Sequence, residues 1–390
     1  MGFQLQTIKE CDVRGKCVLV RVDFNVPIAD GRVVDDFRIR ATLPTIQYLA
    51  KEGAKVILLA HLGRPEGRDL RYSLAPVRDI LSGLLEDEVK FVDDCIGKKA
   101  EEAIRDLRPG EVLLLENVRF YPGEEGNDEN FSKELAALGD IYVNDAFAVS
   151  HRAHASVFGI VPHLPSFAGL LLASEVEHLR TIVEHPRHPL VLIMGGAKVA
   201  TKLRLINVFL EKSEHILLGG VIANTILVAK GLSIGRSKLE EDIGDVLAKI
   251  DLTSPKLHIP LDVVVSSEMT GAVPSGVIAP GSVKEEDIIL DIGPESVKEF
   301  SNIIKEAAMV VWNGPMGFIE VERFAEGTRA LVSSLLESHA YRIVGGGDVI
   351  SILDKLHILD RIEYVSTGGG AMLEFLAGDT LPGLEVLKQN

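Results

Sequence analysis

One pattern constrains this chain more than any other: an apolar run ends in a polar or glycine-rich tip, and a segment with helical apolar spacing follows. The first half repeats it in KCVLVRVDFNVP, AKVILLAHLGRP, VKFVDD, EVLLLENVRF and DIYVNDAFAVSHRAH, with helix-like segments such as ATLPTIQYLAKEG and SLAPVRDILSGLLEDE between them. The second half repeats it in VLIMGGAKVATKL, HILLGGVIANTIL, AMVVWNGPMGFIE, YRIVGGGDVI and EYVSTGGGA. Strands alternating with helices imply parallel sheets, so the expected fold class is α/β, with two doubly wound, Rossmann-like parallel-sheet domains. A length of 390 residues agrees with two domains. Pro162 and Pro165 mark a break, and Ser166 to His185 reads as an amphipathic interdomain helix. The expected divisions are residues 1–165, 166–185, 186–370 and 371–390.

In doubly wound sheets, ligands sit beyond the carboxyl ends of the strands, so the chemistry of the tips matters. In the first half the tips carry Asp23 and Asn25, His61 and Arg64, Arg119, and His151 and Arg152, groups able to hold an anion. Arg38 and Arg40 lie near a helix start at the same sheet end, the helix beginning either at Asp36 with Pro44 inside it or at Thr42. His151 and His154 flank Arg152 without a third ligand at metal spacing, so anion contacts or packing are expected there. In the second half glycine replaces arginine. Gly195 and Gly196 let the backbone approach a ligand, and Lys198 and Lys202, four apart on the following helix, sit near an N-terminus that attracts phosphate. Several such turns at one sheet edge suit a nucleotide. Asp348 follows Gly345, Gly346 and Gly347, where Mg2+ takes one carboxylate together with phosphate oxygens.

No GxGxxG opens a strand-helix unit, and GxxxxGK[ST], HRD and DFG are absent from the sequence. A net charge of -16 argues against nucleic-acid or anionic-membrane partners. The apolar run Ile216 to Ala229 falls short of a membrane span, and the N-terminus lacks a signal-peptide pattern. Three cysteines without metal spacing fit a reduced compartment, so the cytoplasm is expected.

RVDFNVP at Arg21, HLGRP at His61, ENVRF at Glu116, HRAHAS at His151, GGAKV at Gly195, WNGPMG at Trp312, GGGD at Gly345 and STGGGA at Ser366 together closely resemble the phosphoglycerate kinase family, in family order along almost the whole chain. The resemblance implies a monomeric glycolytic kinase that moves a phosphoryl group between 1,3-bisphosphoglycerate and MgADP, giving 3-phosphoglycerate and MgATP. It implies domains facing each other across a cleft, with residues 371–390 returning to the N-terminal domain. By motif position, Asp23, Phe24, Asn25, Arg38, His61, Leu62, Gly63, Arg64, Arg119 and Arg152 resemble the phosphoglycerate site. Gly196, Ala197, Lys198, Lys202, Gly293, Asn313, Glu320, Gly346, Gly347, Asp348 and Val349 resemble the nucleotide site, with Glu320 on the ribose and Asp348 on magnesium. Arg38, Lys198, Lys202 and Gly369 would flank the transferring group, and Gly370 would add a backbone donor.

The sequence departs from the family at Val349, where threonine is usual, at Val221 in a turn usually of GGGMAN type, and in GFIE, where GVFE is common. The attacking carboxylate is ionised at neutral pH, so the expected chemistry needs position and charge rather than a general base. Closure driven by both ligands is expected, with hinges at the ends of the 166–185 segment and near Thr367 to Gly370.

Overall fold

The strand β1 (Cys17–Arg21) is buried from Val18 onward, as a parallel strand covered on both faces must be. It is central to a sheet completed by β2 (Lys55–Leu59), β3 (Val89–Val92), β4 (Val112–Leu115), β5 (Ile141–Asn144) and β6 (Ser166–Ala168). The spatial order is β3-β4-β2-β1-β5-β6, and every neighbouring pair is parallel. Each strand is one of the apolar runs, apart from β6. The computed structural model describes residues 5–240 and 244–388. It divides into one unit reaching residue 178 and resuming at 379, and a second unit of residues 179–378.

The second unit builds its parallel sheet from β7 (Leu190–Met194), β8 (His215–Leu218) and β9 (Leu257–His258), together with three later strands. A separate antiparallel sheet intervenes in the chain: β10 (Val263–Ser266), β11 (Gly276–Ile278) and β12 (Ile288–Ile292). The later strands are β13 (Met309–Asn313), β14 (Tyr341–Gly345) and β15 (Tyr364–Ser366), giving the order β9-β8-β7-β13-β14-β15. β1 and β7 hold matching positions, each flanked by strands that leave it in opposite directions. That reversal opens a crevice at the carboxyl end of a doubly wound sheet. The tips after β1, β2 and β5 meet at one crevice, and those after β7, β8 and β13 at the other.

The helix Phe37–Lys51 begins after Asp36 and contains Pro44, which settles the open start in favour of Asp36. It buries Ile39, Thr42, Ile46 and Leu49, spaced three or four apart, against the sheet. The segment 166–185 is not one helix. Ser166–Ala168 pairs with β5, and the helix runs Leu170–Glu184. The break falls at Gly169, where a Cβ would lie 2.1 Å from Asp145 Oδ1. The missing side chain lets Asp145 reach the helix terminus and accept from Leu171 N at 2.9 Å and Leu172 N at 3.1 Å. At the other end, the helix Gly370–Leu376 still belongs to the second unit, and the return to the first starts at Asp379. Gly383 N then donates to Ser150 O at 2.9 Å.

Asp145 is fully buried, and burial raises its carboxyl to about 7 against the opposing pull of its backbone donors. From about pH 4 to pH 7 the folded chain therefore keeps a proton that the unfolded chain releases, so this group's contribution to stability declines as pH rises through that window. Asp145→Asn is expected to gain stability relative to the unsubstituted protein as pH rises from 4 to 7, by at most about 1.4 kcal/mol per pH unit. Urea denaturation of both proteins across that range measures the difference, and parallel pH profiles would contradict it.

Candidate active site

In the first unit, short polar turns draw the strand tips together. Asp23 Oδ1 accepts from Asn25 N at 3.1 Å, and Asp23 Oδ2 accepts from Arg38 Nη1 at 2.6 Å. Asn25 Oδ1 accepts from Gly63 N at 2.9 Å, while Gly63 O accepts from Arg119 Nη1 at 2.6 Å. The tips after β1, β2 and β4 are thus joined, and the helix carrying Arg38 is tied to them through Asp23. Gly63 adopts φ +62°, and a Cβ there would meet the Tyr72 ring at 2.3 Å, so both backbone and space demand glycine. Phe24 and Leu62 turn their side chains into the core, which leaves only their backbone for a ligand. Arg64 is exposed, and Arg152, half-buried, donates through Nε to His151 Nε2 at 3.3 Å.

His61 is the electrostatic centre of this group. It is buried, and its Nδ1 lies 3.1 Å from Arg21 Nη2. Since arginine can only donate, Nδ1 is the acceptor and Nε2 carries the proton. Burial, and then Arg21, Arg119, Arg152 and Arg38, push the imidazole well below its ordinary pKa, so it is neutral at physiological pH. Burial also lowers Arg119 to about 10, with Glu125 opposing from 3.1 Å. Arg119 Nη2 is buried without a hydrogen-bond partner. A buried cationic donor left over within a set of arginines is suited to an anion.

Sequence reasoning missed the support beneath this cluster. Arg21 is fully buried and donates through Nε to Ser156 Oγ at 2.7 Å, with Glu124 Oε1 at 3.9 Å from its Nη2. Glu124 in turn accepts from Ser156 N at 2.9 Å and Ser156 Oγ at 2.6 Å. The available signal was a charged residue closing an otherwise apolar buried strand, because such a charge must have a partner. Nothing local pointed to Glu124, more than a hundred residues away.

In the second unit the glycines serve a purpose other than the expected one. A Cβ on Gly195 would lie 2.0 Å from Pro315 O, and one on Gly220 would lie 2.6 Å from Gly196 N. Gly196 N donates to Pro315 O at 2.7 Å, Gly195 N to Asn313 O at 3.0 Å and Gly220 N to Met316 O at 2.8 Å. The tips after β7, β8 and β13 therefore pack backbone to backbone, and these N–H groups are already engaged. The two lysines also depart from a common helical face. Lys198 is the N-cap residue, with φ +62°, and is exposed, while Lys202 is buried and donates through Nζ to Gly195 O. The helix terminus is not open either: Val199 N and Ala200 N donate to the Glu240 carboxylate at 2.6 and 3.2 Å.

Next to these tips lies a cavity of about 370 Å3, lined by Gly196, Ala197, Glu320 and Asp348 and by apolar groups including Leu227, Leu290, Pro315 and Phe318. Asn313, at the end of β13, is buried, and its Nδ2 has no hydrogen-bond partner. Gly346, at φ +96°, would bring a Cβ to 3.3 Å from that nitrogen. Gly347 and Asp348 begin the helix Gly347–Lys355 and are exposed, whereas the Val349 side chain is buried in the core, so Val349 can offer a ligand only its backbone. Gly293 is outside the cavity lining; its absent side chain makes room for Asp262, which caps the next helix at Glu295 N and Ser296 N. Gly369, at φ +52°, precedes the helix Gly370–Leu376.

Among the described residues no three His, Cys, Asp or Glu side chains gather as a metal site. An exposed Asp348 carboxylate at a glycine turn fits an ion that completes its shell with phosphate oxygens and water, whereas the unpaired Asn313 Nδ2, at the end of the neighbouring strand, is a donor suited to a phosphate oxygen and not a metal ligand. No helix is long and apolar enough to cross a membrane among the described residues.

The family model for phosphoglycerate kinase matches residues 8–379. A protein of Moorella thermoacetica named phosphoglycerate kinase is 46% identical over 390 residues, spanning 98% of this chain and 99% of its own. One of Coprothermobacter proteolyticus with the same name is 46% identical, covering 99% of both. The solved structure of phosphoglycerate kinase from Coxiella burnetii superposes with a TM-score of 0.83 at 39% identity, covering 99% of each chain. That from Pyrococcus horikoshii gives a TM-score of 0.88 at 33% identity, covering 98% of each.

Burial lowers Lys202 to about 8, Asp348 and Glu240 opposing and Lys198 adding to the shift. The ammonium is present below that pH and lost as pH rises through it, so affinity for a phosphate anion at this cavity should weaken above pH 8, by up to about tenfold per pH unit, with proton uptake on binding. Calorimetry of ADP binding in buffers of different ionisation enthalpy checks both; a flat profile from pH 7 to 9.5 would mean that Lys202 does not meet the phosphates. For packing, Gly220→Ala should lower stability by about 2 kcal/mol or more, because its Cβ meets backbone that cannot swing aside and its φ is positive. A denaturation midpoint equal to that of the unsubstituted protein would refute the backbone contact.

Proposed function

The chain belongs to the phosphoglycerate kinase family and is a glycolytic phosphotransferase with a carboxyl group as acceptor, and from that premise we propose how its residues divide the reaction. The arginine cluster around His61 holds the phosphoglycerate. Arg119 meets its phosphate with the buried Nη2, His61 offers the Nε2 proton, and Arg152 adds charge. Asp23, which accepts from Arg38 and from Asn25 N, would orient Arg38, and Asp23 and Asn25 would meet the substrate hydroxyl. The cavity of the second unit takes the nucleotide, its base against Leu290, Pro315 and Phe318 and its ribose at Glu320. Lys198, Lys202 and Asn313 serve the phosphates, joined by backbone groups at Gly347 and Val349. Asp348 would hold Mg2+ together with phosphate oxygens, and the bound ion supplies charge screening on the terminal phosphates.

The chemistry asks for alignment and neutralisation. The attacking carboxylate is already ionised, and the neutral His61 is not required as a base. Arg38, Lys198 and Lys202 would face the charge that develops on the transferring group, with Gly369 and Gly370 as backbone donors. The two substrates belong to different units, so transfer requires the units to bring them together, and exclusion of water protects the acyl phosphate. The single observation that best supports this reading is the buried unpaired Nη2 of Arg119 among four arginines gathered at one histidine. Three free cysteines accord with a reduced, cytoplasmic setting, and a monomer acting on small molecules is the simplest assembly.

ATP-dependent turnover of 3-phosphoglycerate, coupled to reduction of the acyl phosphate by its dehydrogenase, tests the activity directly. Arg38→Ala should lower kcat by about a hundredfold to a thousandfold while KM for phosphoglycerate changes much less, as for a donor aimed at transition-state charge. A raised KM with kcat intact would confine Arg38 to ground-state binding. Asp348→Asn should weaken the magnesium dependence of turnover, and an unaltered dependence would remove Asp348 from the metal.

A further inference from the structure

Glu240 belongs neither to the cavity lining nor to the proposed mechanism, yet it sits where an anion would. The helix Val199–Lys212 has no acidic residue in its first turn, and its N-cap, Lys198, makes no side-chain cap. Two part-buried donors of that terminus go to a carboxylate about forty positions later in the chain, Val199 N to Oε2 at 2.6 Å and Ala200 N to Oε1 at 3.2 Å. That geometry, one oxygen per N–H across two successive donors, is what a phosphate group would adopt at a helix terminus. The same carboxylate lies within electrostatic range of the buried Lys202, as does Asp348. The formal charges of Lys198 and Lys202 are thereby matched by those of Glu240 and Asp348.

We propose that Glu240 is a resident counter-anion of the phosphate subsite, holding the Val199–Ala200 terminus in the nucleotide-free protein and yielding it when nucleotide phosphates arrive. The inference rests on the placement of nucleotide phosphates at Lys198 and Lys202 given above. A polyphosphate approaching these lysines meets the Glu240 charge at the same donors, so part of the attraction offered by lysines and helix dipole is spent on displacing it. Glu240 thus sets nucleotide affinity downward. It also keeps a pair of part-buried N–H donors satisfied when no ligand is bound, which lets the short turn from Gly195 to Lys198 hold its left-handed lysine. Mg2+ would not be its ligand, since both carboxylate oxygens are turned to N–H donors.

The test uses the full-length protein and ADP in the presence of EDTA, titrated by calorimetry. Glu240→Gln keeps one amide oxygen for the helix terminus but loses the charge, and should bind ADP about two- to fivefold more tightly, the range expected for one charge at a helix terminus. Unchanged or weaker binding overturns the proposal. Lys202→Ala, measured beside it, separates the two layers: if it leaves ADP affinity intact, the placement of the phosphates fails, whereas if it weakens ADP while Glu240→Gln changes nothing, only the role of Glu240 fails. Should Glu240→Gln not fold, the unsubstituted protein answers the same question through the amide resonances of Val199 and Ala200. Those resonances should shift on addition of ADP and stay in place on addition of 3-phosphoglycerate, and resonances unmoved by saturating ADP would overturn the exchange.

Discussion

A neutral histidine buried among four arginines is the arrangement on which the first unit depends. Guanidinium groups taken out of water cost several kcal/mol each unless partners compensate, so the fold must supply acceptors in fixed positions. It does so with Asp23 for Arg38, Gly63 O for Arg119, and Ser156 and Glu124 for Arg21. The same contacts join the tips after β1, β2 and β4, so substrate-binding geometry and loop structure come from one set of hydrogen bonds. What the protein leaves unmade is a partner for the buried Arg119 Nη2, the donor that the proposed reading gives to a phosphate. Burial therefore raises affinity for an anion while keeping His61 uncharged, so the histidine donates without adding a fifth positive charge to the cluster.

The second unit meets a different demand. It provides a cavity walled by apolar groups with only a few charges at its end, which suits the proposed ligand, an apolar base carrying phosphates. Room for that cavity comes from packing three strand tips backbone to backbone, which only glycine permits at Gly195 and Gly220. Burial of Lys202 follows from the same close packing, and it leaves an ammonium whose charge is sensitive near pH 8. In both units a cation is held part-way out of water by protein acceptors, ready for an anion to complete its environment.

Helical and strand periodicity showed which segments pair and in which class of sheet, because a period of two or of 3.6 is a local property of a sequence. The order of the tips and their contrast, arginine in one half and glycine in the other, was legible for the same reason. Helix boundaries were less so. Gly169 ends β6 because Asp145 needs the space of its side chain, a contact across 24 residues that no window of sequence contains.

The sequence by itself determined the two α/β units and the residue types carried at each strand tip, arginine in one half and glycine in the other, since these follow from residue type and spacing along the chain. Only the tertiary structure decided how those residues are employed. It turned the Phe24, Leu62 and Val349 side chains into the core, engaged the Gly196 N–H with Pro315, and brought Arg21 and Glu124 beneath the arginine cluster. It also set the Glu240 carboxylate on the helix terminus that looked open to phosphate. The reason is physical: a donor or charge is available to a ligand only if no partner from elsewhere in the chain has satisfied it, and those partners are chosen by packing between segments far apart in sequence.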